Sequence, residues 1–315
     1  MFNPRPEILV KQLRGMLVDE EHSGFRVLAD KSHVIEYTGE TGHYPFYLRS
    51  AINPLLGSLL IDYGMDIKYD LTEEEIAICC ASHYGEDCHI EVEKSLLNKI
   101  GLKESILKSG IAKPKSRTKR KEMFLRGEKE TVLHNSCSGK HIMMLGLCLM
   151  NGWSLDNYFE EEHPLQVQIK EKMKELCELK HRFPITKDNC GVPIMSMPLE
   201  DILRGYLNLF TNSRYQKITE AFLKYPYLIG GENSLDTKIM QNSDQLVAKV
   251  GLGGICVVVN VKEEEALIVK ISDCNEVARE AVVVRALKNL HWADIPFDSK
   301  LKTLQGEVVG EIVVQ

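Results

Sequence analysis

The two ends of the chain read as strands and the long middle reads as helices, and this order constrains the fold more than any single motif. "ILVKQL" (8 to 13), "GFRVLAD" (24 to 30) and "HVIEYTG" (33 to 39) are short, partly alternating runs separated by Gly, Asp and Ser, as in strands joined by turns. After residue 50 the apolar spacing becomes helical. "LTEEEIAICCASH" opens with Thr72 and Glu75 in capping-box spacing, and "HIEVEKSLLNKIG" stops at Gly101. "KHIMMLGLCLMNG" stops at Gly152, and "HPLQVQIKEKMKEL" has Pro164 where a first helical turn tolerates it. Beyond about residue 245 strands return in "QLVAKVG", "GICVVVNV" and "EALIVKIS", and an amphipathic helix, "NEVAREAVVVRALKNLH", follows. The expectation is an α/β (α+β) domain over 1–315. One antiparallel sheet forms from about 1–48 and 245–315, with a largely helical region, about 50–240, inserted. No Pro-, Gly- or Ser-rich linker divides the chain, and no internal repeat is visible.

Composition excludes several classes of partner. The formal net charge is −6 and the pI near 6.0, so nothing overall favours a polyanion. The basic run "AKPKSRTKRK" (112 to 121) lacks interleaved aromatics and reads as a solvated loop, so no nucleic acid is expected. Nine cysteines, an odd number, are spread along the chain, and "MFNPRPEILVKQLRG" lacks the apolar core of a signal peptide. Free thiols in a reducing cytoplasm are therefore expected. The best apolar run, "IMMLGLCLM" (142 to 150), falls far short of the ~20 residues of a membrane span.

Four polar clusters carry chemistry. "LHNSCSGKHIMM" (133 to 144) lacks the preceding glycine of a phosphate loop. It leaves Gly139 in a turn and Lys140 and His141 entering a helix, with Cys137 near that helix's N-terminus. There the helix dipole and the ammonium favour a thiolate, a nucleophile or metal ligand, although a cysteine also packs as a small apolar residue. A second thiol stands in a similar polar turn, "KDNCGVP" (187 to 193); the two could form a metal pair or a nucleophile with its partner, but their spacing fits no zinc-finger pattern. In "YLRSAINP" (47 to 54) Ser50 opens a helix, where an S-x-x-K serine would have a lysine one turn on. The residue there is Asn53, which cannot take a proton, so by this motif alone Ser50 reads as a helix cap. "AKVGLGG" (248 to 254) puts Lys249 before x-Gly on a strand, either the K-T-G type of strand that flanks a serine nucleophile or an exposed edge lysine.

Taken in order, these segments resemble the rhizobial-type L-asparaginases, the asparaginase II family. "RSAINP" is similar to RSAIKP, "CCASHYGEDCH" to an ASHSGE segment, and "HNSCSGKHIMML" to HNNCSGKHAGML; "HPLQ" is also present. "DNCGVPIMSMPL" resembles DGCGVPxFALPL, "GGENSLDT" resembles GGTGRFDT, and "AKVGLGG" resembles KxGAEG. The resemblance implies a β-lactamase-like, glutaminase-like fold, a homodimer, and hydrolysis of L-asparagine to L-aspartate and ammonia. It also implies two serine–lysine pairs, which fall here on Ser50 with Asn53 and on Ser82 with Lys249. It implies zinc held by Cys137, Lys140 and Cys190, with Asp188 beside the metal. Arg49, Asn53, His83 and Asp188 become the substrate-contacting candidates.

The departures cluster at the chemistry. Asn53 replaces the S-x-x-K lysine, Ser234 replaces an arginine suited to a substrate carboxylate, Gly253 replaces a glutamate and Cys274 a glycine. Three readings remain open. One is an asparaginase with Lys249 as base for Ser82 or Ser50. Another is an inactive homologue that binds an amino acid or amide. The third is a hydrolase of a different small amide, in which Ser234 widens and neutralises the pocket.

Overall fold

The computed structural model describes residues 3–315 and joins the two chain ends in one sheet. The N-terminal strands are β1 (Glu7–Arg14), β2 (Leu17–Asp30) and β3 (Val34–Thr38); β4 (Phe46–Tyr47), β5 (Ile185–Lys187) and β6 (Pro193–Met197) form a separate three-stranded sheet. The C-terminal strands are β7 (Leu246–Gly251), β8 (Ile255–Asn260), β9 (Glu265–Ile271), β10 (Lys300–Lys302) and β11 (Val308–Val314). The main sheet runs β10-β11-β1-β2-β9-β8-β7, every pairing antiparallel. β3 pairs with the β1 side of β2, which explains the length of β2: its outer half carries β1 and its inner half carries β3 and β9.

Closure of the two ends is the β2–β9 ladder, Gly24 opposite Ile271 through Asp30 opposite Glu265. β8 is buried at all six positions, so both sheet faces are covered there, as its unbroken "ICVVVN" run requires. Helix Leu199–Phe210 packs on β2, β8 and β9, and helix Glu276–Asn289 on β1, β8, β9 and β11.

The helix signals hold at their ends. Thr72 and Glu75 form the capping box of helix Glu73–Cys80, and Gly101 and Gly152 end helices Asp87–Ile100 and Ser138–Asn151 at φ 78° and 65°. Pro164 starts helix Pro164–Leu176. Three segments differ from the sequence expectation. Helix Glu73–Cys80 stops before "ASH", because Ala81 turns extended (φ −78°, ψ 167°) and Ser82 donates its N–H to Ile229 O at 3.0 Å. The basic run is no loop throughout: Ser116 caps helix Arg117–Arg126 by accepting from Lys119 N at 3.1 Å, and Gly127 closes it at φ 64°. Beyond the final helix, β10 and β11 extend the sheet past β1. No helix among the described residues is long and apolar enough to cross a membrane.

Candidate active site

The C-terminal strand β7 brings the separated clusters together. It lies against the 3₁₀ turn Arg49–Ile52, which carries Ser50, and Gly251 makes that approach possible. A Cβ at Gly251 would stand 2.4 Å from Leu48 O and 3.1 Å from Ala51 N. The glycine of the K-x-G strand is therefore a close-packing residue for the serine turn. The glycine of "CSGK" does the same between helices, since a Cβ at Gly139 would meet Ile78 O at 2.2 Å.

Ser50 and Ser82 border one cleft of about 300 Å³, whose other walls include Tyr84, Lys115, Arg120, Glu276 and Arg279. Asn53 couples the two serine segments: fully buried, it donates from Nδ2 to Ala81 O at 2.7 Å, and its Oδ1 finds no partner. The Ser82 hydroxyl is likewise buried without a hydrogen-bond partner. A buried polar atom left unpaired in a cleft marks a position from which a ligand can gain a hydrogen bond. Hollows of about 830 and 810 Å³ exist elsewhere, but neither is lined by Ser50, Ser82 or any other candidate residue of the serine or cysteine clusters.

Lys249 is not an exposed edge lysine. It has no solvent exposure, and its Nζ meets Asp236 Oδ2 at 3.1 Å and Val250 O at 3.0 Å. Asp236 accepts from Ser234 Oγ at 2.6 Å and from Val250 N at 3.3 Å. Burial pushes the Asp236 carboxyl up, but Lys249 and these hydrogen bonds outweigh it and leave it below its ordinary value. Ser234 is fully buried as the cap of helix Leu235–Gln241 and does not line the cleft, so the expectation that it opens the pocket fails.

His83 also turns away from the cleft. It is fully buried, Gly85 N–H donates to its Nδ1 at 3.1 Å, and its Nε2 lies 3.0 Å from Glu93 Oε1. Nδ1 is thus the acceptor, Nε2 carries the proton, and burial with the nearby Lys115 charge pushes the ring's pKa down to about 3. Its contacts are those of a residue that fixes the "ASH" segment. Arg49 likewise reaches Asp188, Nε to Oδ1 at 2.6 Å, although it needs a left-handed backbone (φ 53°) to do so.

Cys137, Lys140 and Cys190 do converge. A hydrogen bond from Cys190 pulls the Cys137 thiol down to about 6, and that same bond with burial pushes Cys190 up to about 11. The two shifts run in opposite directions, favouring the thiolate on Cys137 and the proton on Cys190. Burial opposes charge on Lys140, but Cys137, Cys190 and Asp188 outweigh it and hold its proton on. Two sulfurs and an amine suit a soft divalent ion such as zinc, provided that Lys140 gives up its proton. Glu86, Cys88 and His89 also place donor atoms within 4.8 Å of one another. Here His89 is already used at both nitrogens, by Glu86 N–H and Tyr227 O, and Glu86 accepts from Tyr227 Oη and Glu232 N–H. All nine cysteines are free thiols.

Sequence reading missed Asp236, Tyr84, Lys115, Arg120, Glu276 and Arg279. Lys115 and Arg120 were inside the basic run, and the available signal was the Ser116 cap eleven residues before Gly127. Lys115 lies over the Tyr84 ring at 5.7 Å. Burial of its amine, then the Lys249 charge, push its pKa down.

The sheet edge of this mixed α/β fold thus brings two serines to one cleft, with a buried lysine on the strand that borders it. Residues 10–314 match the family model of L-asparaginase II, and the chain belongs to that family, an asparaginase-type amidohydrolase family. No curated protein gives a significant match. Among solved structures the chain is similar to a β-lactamase from Mycobacterium bovis (14% identity, TM-score 0.44, 84% of this chain and 94% of that one). It is also similar to a putative β-lactamase from Bacteroides dorei (10% identity, TM-score 0.44, 91% and 88%).

Proposed function

We propose that the protein hydrolyses a small primary amide of the asparagine type to the acid and ammonia, with Ser82 as nucleophile. The observation that carries this reading is the buried, unpartnered Ser82 hydroxyl on the cleft it shares with Ser50. Ser82 Oγ adds to the amide carbon while its proton passes to a base and on to the leaving nitrogen. The C–N bond breaks, ammonia leaves, and water then hydrolyses the acyl ester, returning the proton to Ser82. Lys249 does not line the cleft, and its ion pair with Asp236 suits it to raising the positive potential around the site rather than to accepting a proton. Lys115, whose protonated form is disfavoured in the same cleft, is the better base and stands in for the lysine absent at Asn53.

Zinc is proposed at Cys137, Lys140 and Cys190, where it would supply positive charge and a cross-link between the two cysteine turns. Homodimerisation is proposed on the family resemblance, and a cytoplasmic site of action on the nine free cysteines. A binding protein without catalysis is the second reading, favoured by Asn53 being locked to Ala81 O.

Ammonia release by wild type and by Ser50→Ala, Ser82→Ala and Lys115→Met decides between them. Ser82→Ala is expected to lose at least about 10³ in kcat, and Lys115→Met about 10² to 10⁴. Full activity in a Ser50→Ala/Ser82→Ala double variant would overturn the proposal.

A further inference from the structure

The amide-hydrolase reading leaves open what the rest of the substrate is, and the cleft's charges bear on that. Arg279 is only 7% exposed, yet its guanidinium is poorly satisfied. Nη1 donates to Gly251 O at 3.4 Å, Nη2 is 3.9 Å from Glu276 Oε1, and Nε is buried with no partner. Arg120 borders the same cleft from helix Arg117–Arg126 and spends one nitrogen on Pro114 O at 3.2 Å. Against these two guanidiniums stands one carboxylate, Glu276, whose side chain is 75% exposed.

We infer that the cleft is built for an anionic amide without a free ammonium group, a monoamide of a short dicarboxylic acid, whose carboxylate is held by Arg279. A carboxylate supplies the acceptor that Nε lacks and balances the surplus cation; guanidinium and carboxylate are matched in geometry. An amino-acid amide would instead bring an ammonium beside two guanidiniums, with only the solvated Glu276 to receive it. At about 300 Å³ the cleft is at the small end of ligand pockets, which suits a chain of four or so carbons. Arg279 thus discriminates between substrates, while Ser82 does the chemistry.

This inference rests on the amidohydrolase reading but is tested apart from it. The full chain is assayed with succinamate (net −1), L-asparagine (net zero) and butyramide (uncharged), for the shift in Tm on binding and for ammonia release. Succinamate is expected to give the largest Tm shift and a kcat/KM at least roughly tenfold above that of asparagine. Arg279→Gln is expected to cut the succinamate-to-butyramide ratio by on the order of 10²-fold, mainly through KM, with Arg279→Lys in between. If no amide is hydrolysed but succinamate alone raises Tm, and Arg279→Gln abolishes the shift, hydrolysis falls and the anion site stands. If asparagine is hydrolysed as well as succinamate or better, the anion preference falls and the hydrolase stands. A ratio unchanged in Arg279→Gln overturns the role of Arg279. Should that variant not fold, the wild-type ranking of the three amides still decides the class.

Discussion

Asp236→Asn tests the internal electrostatics of the site. Asp236 and Lys249 are both without solvent exposure, and the amide that replaces the carboxylate can still meet Ser234 Oγ but no longer offsets the Lys249 charge. Breaking a buried pair by neutralising one partner typically costs ~3–5 kcal/mol, because the remaining charge is stranded in low dielectric. The expected loss is at the lower end, since Val250 O still accepts from Nζ at 3.0 Å. For a chain of this size each kcal/mol moves Tm by roughly 2 °C, so a fall of about 6 °C is expected. Replacing both partners, as in Asp236→Asn/Lys249→Met, removes the stranded charge and should recover much of that loss. Urea unfolding of wild type, Asp236→Asn and the double variant measures both steps. The sign of the pH dependence follows from the lowered carboxyl: the ion pair's contribution is present above the unfolded value near 3.8 and lost as pH falls through the folded one. A cost under about 1 kcal/mol for Asp236→Asn, or a double variant no more stable than the single, would mean that no charge is stranded at Lys249.

Two further predictions concern the cysteine pair and the strand. In metal-free protein, thiolate absorbance should appear with a midpoint near 6, and Lys140→Met should raise that midpoint by removing the ammonium. The depressed Cys137 value means that its stabilisation is fully present above about 9, declines between the two values, and is lost below about 6; a midpoint near 9 would contradict the pairing. Gly251→Ala would drive a methyl group to 2.4 Å from Leu48 O and so displace the Ser50 turn. We expect a loss of about 1–3 kcal/mol in urea unfolding together with reduced ammonia release; unchanged activity would show that β7 does not set the position of Ser50.

The strand runs at both ends, the capping box at Thr72, the glycine stops and the ordered motifs were legible in the sequence because each is a local signal: periodicity, a side-chain cap or a turn residue. They were enough for the sheet built from two chain ends, and they marked the segments of Ser50 and Ser82, which border one cleft. The basic run was read wrongly because Arg and Lys carry no apolar stripe, so helix Arg117–Arg126 shows only in its Ser116 and Gly127 caps. β11 was missed because a half-buried strand at the end of a chain is recognised by its partner β1.

What the sequence alone determined is the order of elements and the chemical types available at each. Tertiary structure alone decided which of them meet. Asp236 became the partner of Lys249, His83 was taken into the core, Ser234 became a cap, and Arg120 and Arg279 were carried to the cleft from helices far apart in the chain. Burial, charge pairing and unsatisfied donors are properties of neighbours in space, and no spacing along the chain encodes them.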